Sequence, residues 1–198
     1  VIEQFFEQYA GEKIFIFGFT FIIWQYFIQA LANKNKAFDL TNVMILHSGG
    51  WKKLQDIAVS NQVFKQKLQT VLGHVNVHNF YGMVEQTGSI FMECEAGVLH
   101  TSAYGDVIIR DVQNWRECAV GETGVIQVLS SLPKSYPGHS LLTEDLGVLR
   151  GRDDCACGRA GKYFHVLGRV PMAEQRGCSD TVTEQLTSSE MTRNASHA

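Results

Sequence analysis

Proline is scarce in this sequence, three residues in 198, and the 18 glycines leave no room for a long flexible linker. Neither charge is in excess: 17 Lys and Arg stand against 20 Asp and Glu, a net −3. Without a basic surplus there is no electrostatic footprint for nucleic acid, and no nucleic-acid partner is expected. Charged residues at 19% and apolar residues at 45% exclude a disordered or collagen-like chain and leave one domain, or one and a part, with a real core. The five cysteines are odd in number and too widely spaced for a small disulfide scaffold. A cytoplasmic chain using thiols for metal or chemistry fits them better. The chain opens on Val1 with no Met, and we read it as part of something longer.

One apolar run, residues 14–31, has nearly the length of a bilayer span, but Thr20, Gln25 and Gln29 interrupt it. No basic segment of the secretory type precedes it. Its front is β-branched and aromatic and its back is rich in helix formers. We therefore expect a buried parallel strand over 14–17, a turn at Gly18-Phe19-Thr20 and a helix over 21–31, with no membrane span.

The rest of the chain extends this pattern. Residues 3–9 read as a helix closed by Gly11, 42–46 as a second strand, 54–72 as a helix stopped by Gly73, and 76–81 as a third strand. Strand and helix alternating in this way predict an α/β fold with a parallel sheet and crossover helices. From about residue 100 the texture changes to short strands between glycine-containing turns, at 107–111, 125–129, 146–150 and 163–167. These predict a smaller antiparallel β layer. The expected organisation is an α/β part over 1–100, a β-rich part over 101–178, and a Ser/Thr-rich disordered tail over 179–198.

The strand-end motifs carry a resemblance when taken in order. They are HSGGWKKL, containing Ser48, Gly49 and Gly50; FYGMVEQTG, containing Tyr81, Gly82 and Glu85; LTEDLG, containing Asp145; and GRAGKYFHVLGR, ending at Arg169, with RGC near the end. Together they resemble the ATP-side motifs of the adenylate-forming superfamily, most closely its acyl-protein synthetase branch, with phenylacetate–CoA ligases as cousins. The resemblance covers roughly residues 11–180. The Ser/Thr/Gly-rich phosphate loop that precedes the first of these strands in that superfamily is not in this sequence, nor is the C-terminal lid with its catalytic lysine. The chain thus looks like the C-terminal half of such an enzyme, a fragment of its large domain.

The resemblance implies roles that the residue chemistry suits. Glu85 matches the Mg²⁺-binding glutamate, and a hard cation bridging phosphates asks little more of the protein than one carboxylate. The threonine usual before it is Val84 here, so a hydroxyl contact to phosphate is lost or comes from Thr87. Asp145 matches the aspartate that receives both ribose hydroxyls, and Arg169 the arginine that closes the same site with its fixed fork of donors. Gly49 and Gly50 would let the backbone approach adenine, and Tyr81 would stack on it. A plain turn or a surface ion pair remains the alternative for each motif taken alone.

Cys94, His100, Cys155 and Cys157 make up the three thiols and one imidazole that a closed tetrahedral Zn²⁺ site takes, although idle thiols remain the alternative. A similar set in phenylacetate–CoA ligases favours the metal. Cys178, beside Arg176, stands where the acyl-protein synthetases carry the cysteine that accepts the acyl group. Cys118 and the remaining histidines, His47 among them, read as ordinary core or surface residues. The function implied is ATP- and Mg²⁺-dependent activation of a fatty acid or other carboxylate to acyl-AMP. Transfer to a cysteine thioester follows, and then to an acyl reductase or other acceptor protein. A carboxylate–CoA ligase and a zinc-stabilised, non-catalytic interaction module are the alternatives. This chain alone is not expected to turn over.

Overall fold

The computed structural model describes residues 2–33, 38–51 and 56–170. Helix α1 (Ile2–Gln8) leads through Gly11, whose φ of 86° suits glycine, into strand β1 (Ile14–Phe19). The expected turn at Gly18 is absent. The strand continues through Phe19 and passes directly into a helix, because Thr20 and Phe21 bury there instead of turning to solvent. That helical run begins as α2 (Thr20–Ile22), widens into a π-helix over Ile23–Ile28, and ends as α3 (Gln29–Asn33). Among the described residues no helix is long and apolar enough to cross a membrane.

Strand β2 (Val43–Ser48) and strand β3 (Asn76–Tyr81) extend β1 into a parallel sheet, Ile14 opposite Val43 and Met44 opposite Asn76. Helix α4 (Asn61–Leu72) makes the crossover between them and is shorter than expected. Ser60 caps it by accepting from the Val63 N–H at 3.3 Å, so the helix starts there and not at residue 54. Positions 52–55 of the expected helix lie outside the described residues. Gly73, at φ 81°, ends it as anticipated.

The parallel strands are not buried on both faces. Ile14, Val43, Ile45 and Val77 pack against Trp24, Phe64 and Leu68 of the helices, whereas Phe15, Phe17 and Met44 on the other face are exposed. All described helices lie on one side, so the side chains alternate between core and solvent.

After β3 a 3₁₀ turn (Val84–Gln86) leads to two strands that sequence reading did not foresee, β4 (Phe91–Glu93) and β5 (Leu99–His100). Then come β6 (Gly105–Arg110), β7 (Thr123–Ser130), the thirteen-residue β8 (Ser140–Arg152) and β9 (Lys162–Arg169). All nine strands join one sheet in the order β1-β2-β3-β4-β5-β9-β8-β7-β6, parallel at first and antiparallel from β3 onward. A second core of Phe91, Leu99, Ile109, Ile126, Val128 and Phe164 lies under the antiparallel part. The expected tail, together with Cys178, falls outside the described residues.

Candidate functional site

Strands β3, β8 and β9 bring three of the singled-out side chains together. Register pairs Asp145 on β8 with Arg169 on β9, and the guanidinium Nε stands 3.8 Å from Asp145 Oδ1. The same guanidinium lies 3.6 Å from Glu144. From β3 the Tyr81 hydroxyl donates to Asp145 Oδ2 at 2.7 Å. The Tyr81 ring packs against Phe91 and Phe164 while its hydroxyl holds the carboxylate. Burial, and then the Asp145 charge, pushes the Tyr81 phenol far above its ordinary range, so it remains a donor at every physiological pH.

Thr143, a residue of the LTEDLG motif given no role by sequence reading, fixes the same carboxylate from behind. Its buried hydroxyl donates to Ile126 O at 2.8 Å and accepts from the Asp145 N–H at 3.1 Å. A cavity of about 300 Å³ lies beside the start of α4, lined by Asn61, Asn79, Glu93, Leu99, His165 and Leu167. Asn79 precedes Tyr81 by two on β3, and Leu167 precedes Arg169 by two on β9. The register of β9 jumps from Gly168 to Val166, which takes Leu167 out of the strand's alternation, so the cavity is a separate feature from the Tyr81–Asp145–Arg169 cluster. Glu93 is the buried charge in its wall, its Oε1 accepting from Asn61 at 2.6 Å and Lys65 at 2.8 Å, its Oε2 from the Asn79 N–H at 2.7 Å. Partners 14 to 32 residues away left no local signal for it.

The other predicted positions surround this cluster in different ways. Gly49 has φ 83°, which only glycine adopts freely, and a Cβ on Gly50 would meet no atom within 4 Å. Ser48 gives its hydroxyl to Phe80 O at 2.8 Å, a bond between strands. Gly82 starts the turn that carries Glu85, whose side chain is exposed. Thr87 does not offer a free hydroxyl: it donates to Val84 O at 3.0 Å and closes its own turn.

The cysteines form a second constellation. Cys94 follows β4, His100 lies in β5, and Cys155 and Cys157 lie in the β8–β9 connection. Their ligand atoms all fall within 4.8 Å of one another. Cys94 Sγ is 3.9 Å from Cys155 Sγ, and Cys157 Sγ is 3.4 Å from His100 Nε2. A tetrahedral Zn²⁺ with bonds of about 2.3 Å to sulfur and 2.0–2.1 Å to nitrogen would set these edges near 3.8 and 3.5 Å. Protonation states also suit a metal. Burial pushes His100 down, toward the neutral ligand form. Burial acts to raise the Cys157 thiol, but the Arg159 backbone N–H and neighbouring side chains outweigh it and hold it at about 7. The set therefore fits zinc. Cys118, by contrast, is a buried core thiol 3.9 Å from Thr123 O.

The strands define a fold first. The fold is that of the adenylate-forming enzymes. A 2-hydroxyisobutyryl-CoA ligase in complex with 2-HIB-AMP and CoA matches 86% of this chain at a TM-score of 0.63 and 16% identity, over 36% of its own length. A long-chain-fatty-acid-CoA ligase from Archaeoglobus fulgidus matches 85% at 0.58 and 16% identity, over 36% of its length. ATP-bound MatB from Rhodopseudomonas palustris matches 84% at 0.54 and 14% identity, over 33%. The chain thus spans about a third of the solved structures it resembles. No curated protein sequence matches it. The family described as Acyl-protein synthetase, LuxE matches residues 2–187, and this chain belongs to that family.

Proposed function

We propose that the full-length protein activates a fatty acid with ATP and passes the acyl group to a protein thiol. The observation that carries this reading is the meeting of Tyr81, Asp145 and Arg169 in a chain of the acyl-protein synthetase family. Asp145 offers two oxygens to a vicinal ribose diol, oriented by the Tyr81 hydroxyl and the Thr143 bonds. Arg169 supplies positive charge beside it.

The acid's carboxylate oxygen attacks the α-phosphorus of ATP, and the bond to pyrophosphate breaks. Glu85 would hold Mg²⁺, which when bound neutralises phosphate charge. The acyl carbon is then attacked by a thiolate, a C–S bond forming as the bond to AMP breaks. Cys178 is the acceptor we assign, with an acyl reductase or another acceptor protein downstream. Cys94, His100, Cys155 and Cys157 would hold a structural zinc.

The test is incubation of the full-length protein with radiolabelled fatty acid, ATP and Mg²⁺. A protein-bound label that hydroxylamine releases, and that Cys178→Ser abolishes, is expected. Release of the label by coenzyme A as a soluble thioester would instead favour a CoA ligase. No label at all would leave a non-catalytic module.

A further inference from the structure

We propose that Gln86 and Tyr136 are positioning residues for Glu85, latching the turn that carries it to the segment between β7 and β8. The inference rests on the reading of Glu85 as the Mg²⁺-holding carboxylate. Glu85 itself is exposed, on a 3₁₀ turn of three residues, and a turn so short has no internal ladder to hold it still. Bonds from Thr87 Oγ1 to Val84 O and from the Gln86 N–H to Met83 O close the turn, and bonds to β7 and to residues 131–139 tie it to the rest of the fold. The Tyr136 hydroxyl donates to the Glu85 carbonyl. Gln86, wholly buried, spends both amide hydrogens on the same side, on Gly138 O at 2.6 Å and Val128 O at 3.2 Å.

Three further contacts close the latch. Ser89 Oγ donates to Ser130 Oγ at 2.6 Å, both side chains buried. Gly88, at φ 93°, lies so close under Leu132 that a Cβ there would stand 3.2 Å from its methyl. Gly138 leaves room for the Tyr136 ring, which a Cβ would strike. Gln86 also holds its Oε1 in the interior without a partner among the described residues. A core position that needed only volume would be filled better by an apolar side chain, since a buried unpaired acceptor destabilises. The amide is there for its two donors, one given to the segment that also grips Glu85 and the other to β7 beside it.

The segment 131–139 thereby acts on Glu85 through the backbone of its turn. Its displacement moves the Glu85 backbone, and the carboxylate with it.

The experiment measures fatty-acid-driven ATP–pyrophosphate exchange by the full-length protein as a function of Mg²⁺ concentration. Tyr136→Phe removes one hydrogen bond at a 42% exposed residue, so melting should hardly change. The Mg²⁺ concentration for half-maximal exchange should rise about three- to tenfold, the equilibrium equivalent of one hydrogen bond. Gln86→Met should raise it further, with KM for the acid unchanged in both. Rates that fall by the same factor at every Mg²⁺ concentration, or do not fall, would overturn the latch; if Gln86→Met does not fold, Tyr136→Phe decides. Failure of the underlying reading is separately visible: the unmutated protein would catalyse no exchange, or Glu85→Ala would keep its Mg²⁺ dependence, and the latch would fall with it.

Discussion

Acidification should weaken this fold at one identifiable ring, that of His47 on β2. The ring is 2% exposed and sits 4.5 Å, centroid to centroid, from Phe64. Thr20 already donates its hydroxyl to Ser48 O at 3.1 Å, so only its lone pair is left for His47 Nδ1, 2.9 Å away. Nδ1 therefore carries the proton, and Nε2 is a bare buried acceptor without a described partner. A second proton would have to enter the dry core. Burial accordingly pushes the pKa from 6.5 down to about 4, the nearby Glu93 opposing and Lys65 adding. Between those values the unfolded chain binds the proton and the folded one does not. Stability is thus fully present above pH 6.5, declines as pH falls, and is lost from this source below about 4. At about 1.4 kcal/mol per pH unit for one proton, the interval is worth about 3 kcal/mol. Urea midpoints of the full-length protein and of His47→Asn would measure it. The variant should be less stable at pH 7, and the gap should narrow by about 3 kcal/mol as pH falls to 4. A gap constant from pH 7 to 4 would refute the argument.

Two other outcomes follow from the site. Protein purified without chelator should carry about one zinc per chain, and a strong chelator or Cys157→Ala should lower its melting temperature; less than about half a zinc per chain would exclude the four-ligand site. Asp145→Ala should weaken nucleotide binding at least about tenfold in calorimetry, and Tyr81→Phe, which loses only one bond to a charged acceptor worth about 1.5–3 kcal/mol, should have a similar or smaller effect. Affinity that survives both Asp145→Ala and Arg169→Ala would undo the assignment.

Much of the parallel sheet was legible because its signals are local. Short β-branched runs end in glycine or a turn, and Gly11 and Gly73 stand where positive φ is needed. The start of α4 was not legible, since residues 54–59 carry helix-like apolar residues and only the Ser60 cap sets the boundary. Strands β4 and β5, of three and two residues, are too short to show a period and exist because β3 and β9 pair with them. The Cys and His cluster could be proposed from residue type, but sulfurs 61 residues apart meet through the β5–β9 pairing. Thr143 and Gln86 lay inside recognised motifs without a visible role, because their partners sit on other strands.

The narrowness of β5 has a mechanical consequence. Leu99 and His100 are the paired residues between β4 on one side and β9 on the other, flanked by bonds from Cys94 to Val98 and from Thr101 to Lys162, so a short strand links the sheet's halves at that point. Tyr81 belongs to one half and Asp145 to the other, and such a neck is where shear would concentrate. The four clustered ligands straddle it. A metal there would act as a rivet, setting the spacing between the strand ends that carry Tyr81 and Asp145. Its removal would be felt as lost alignment at Tyr81 and Asp145 before either half unfolded.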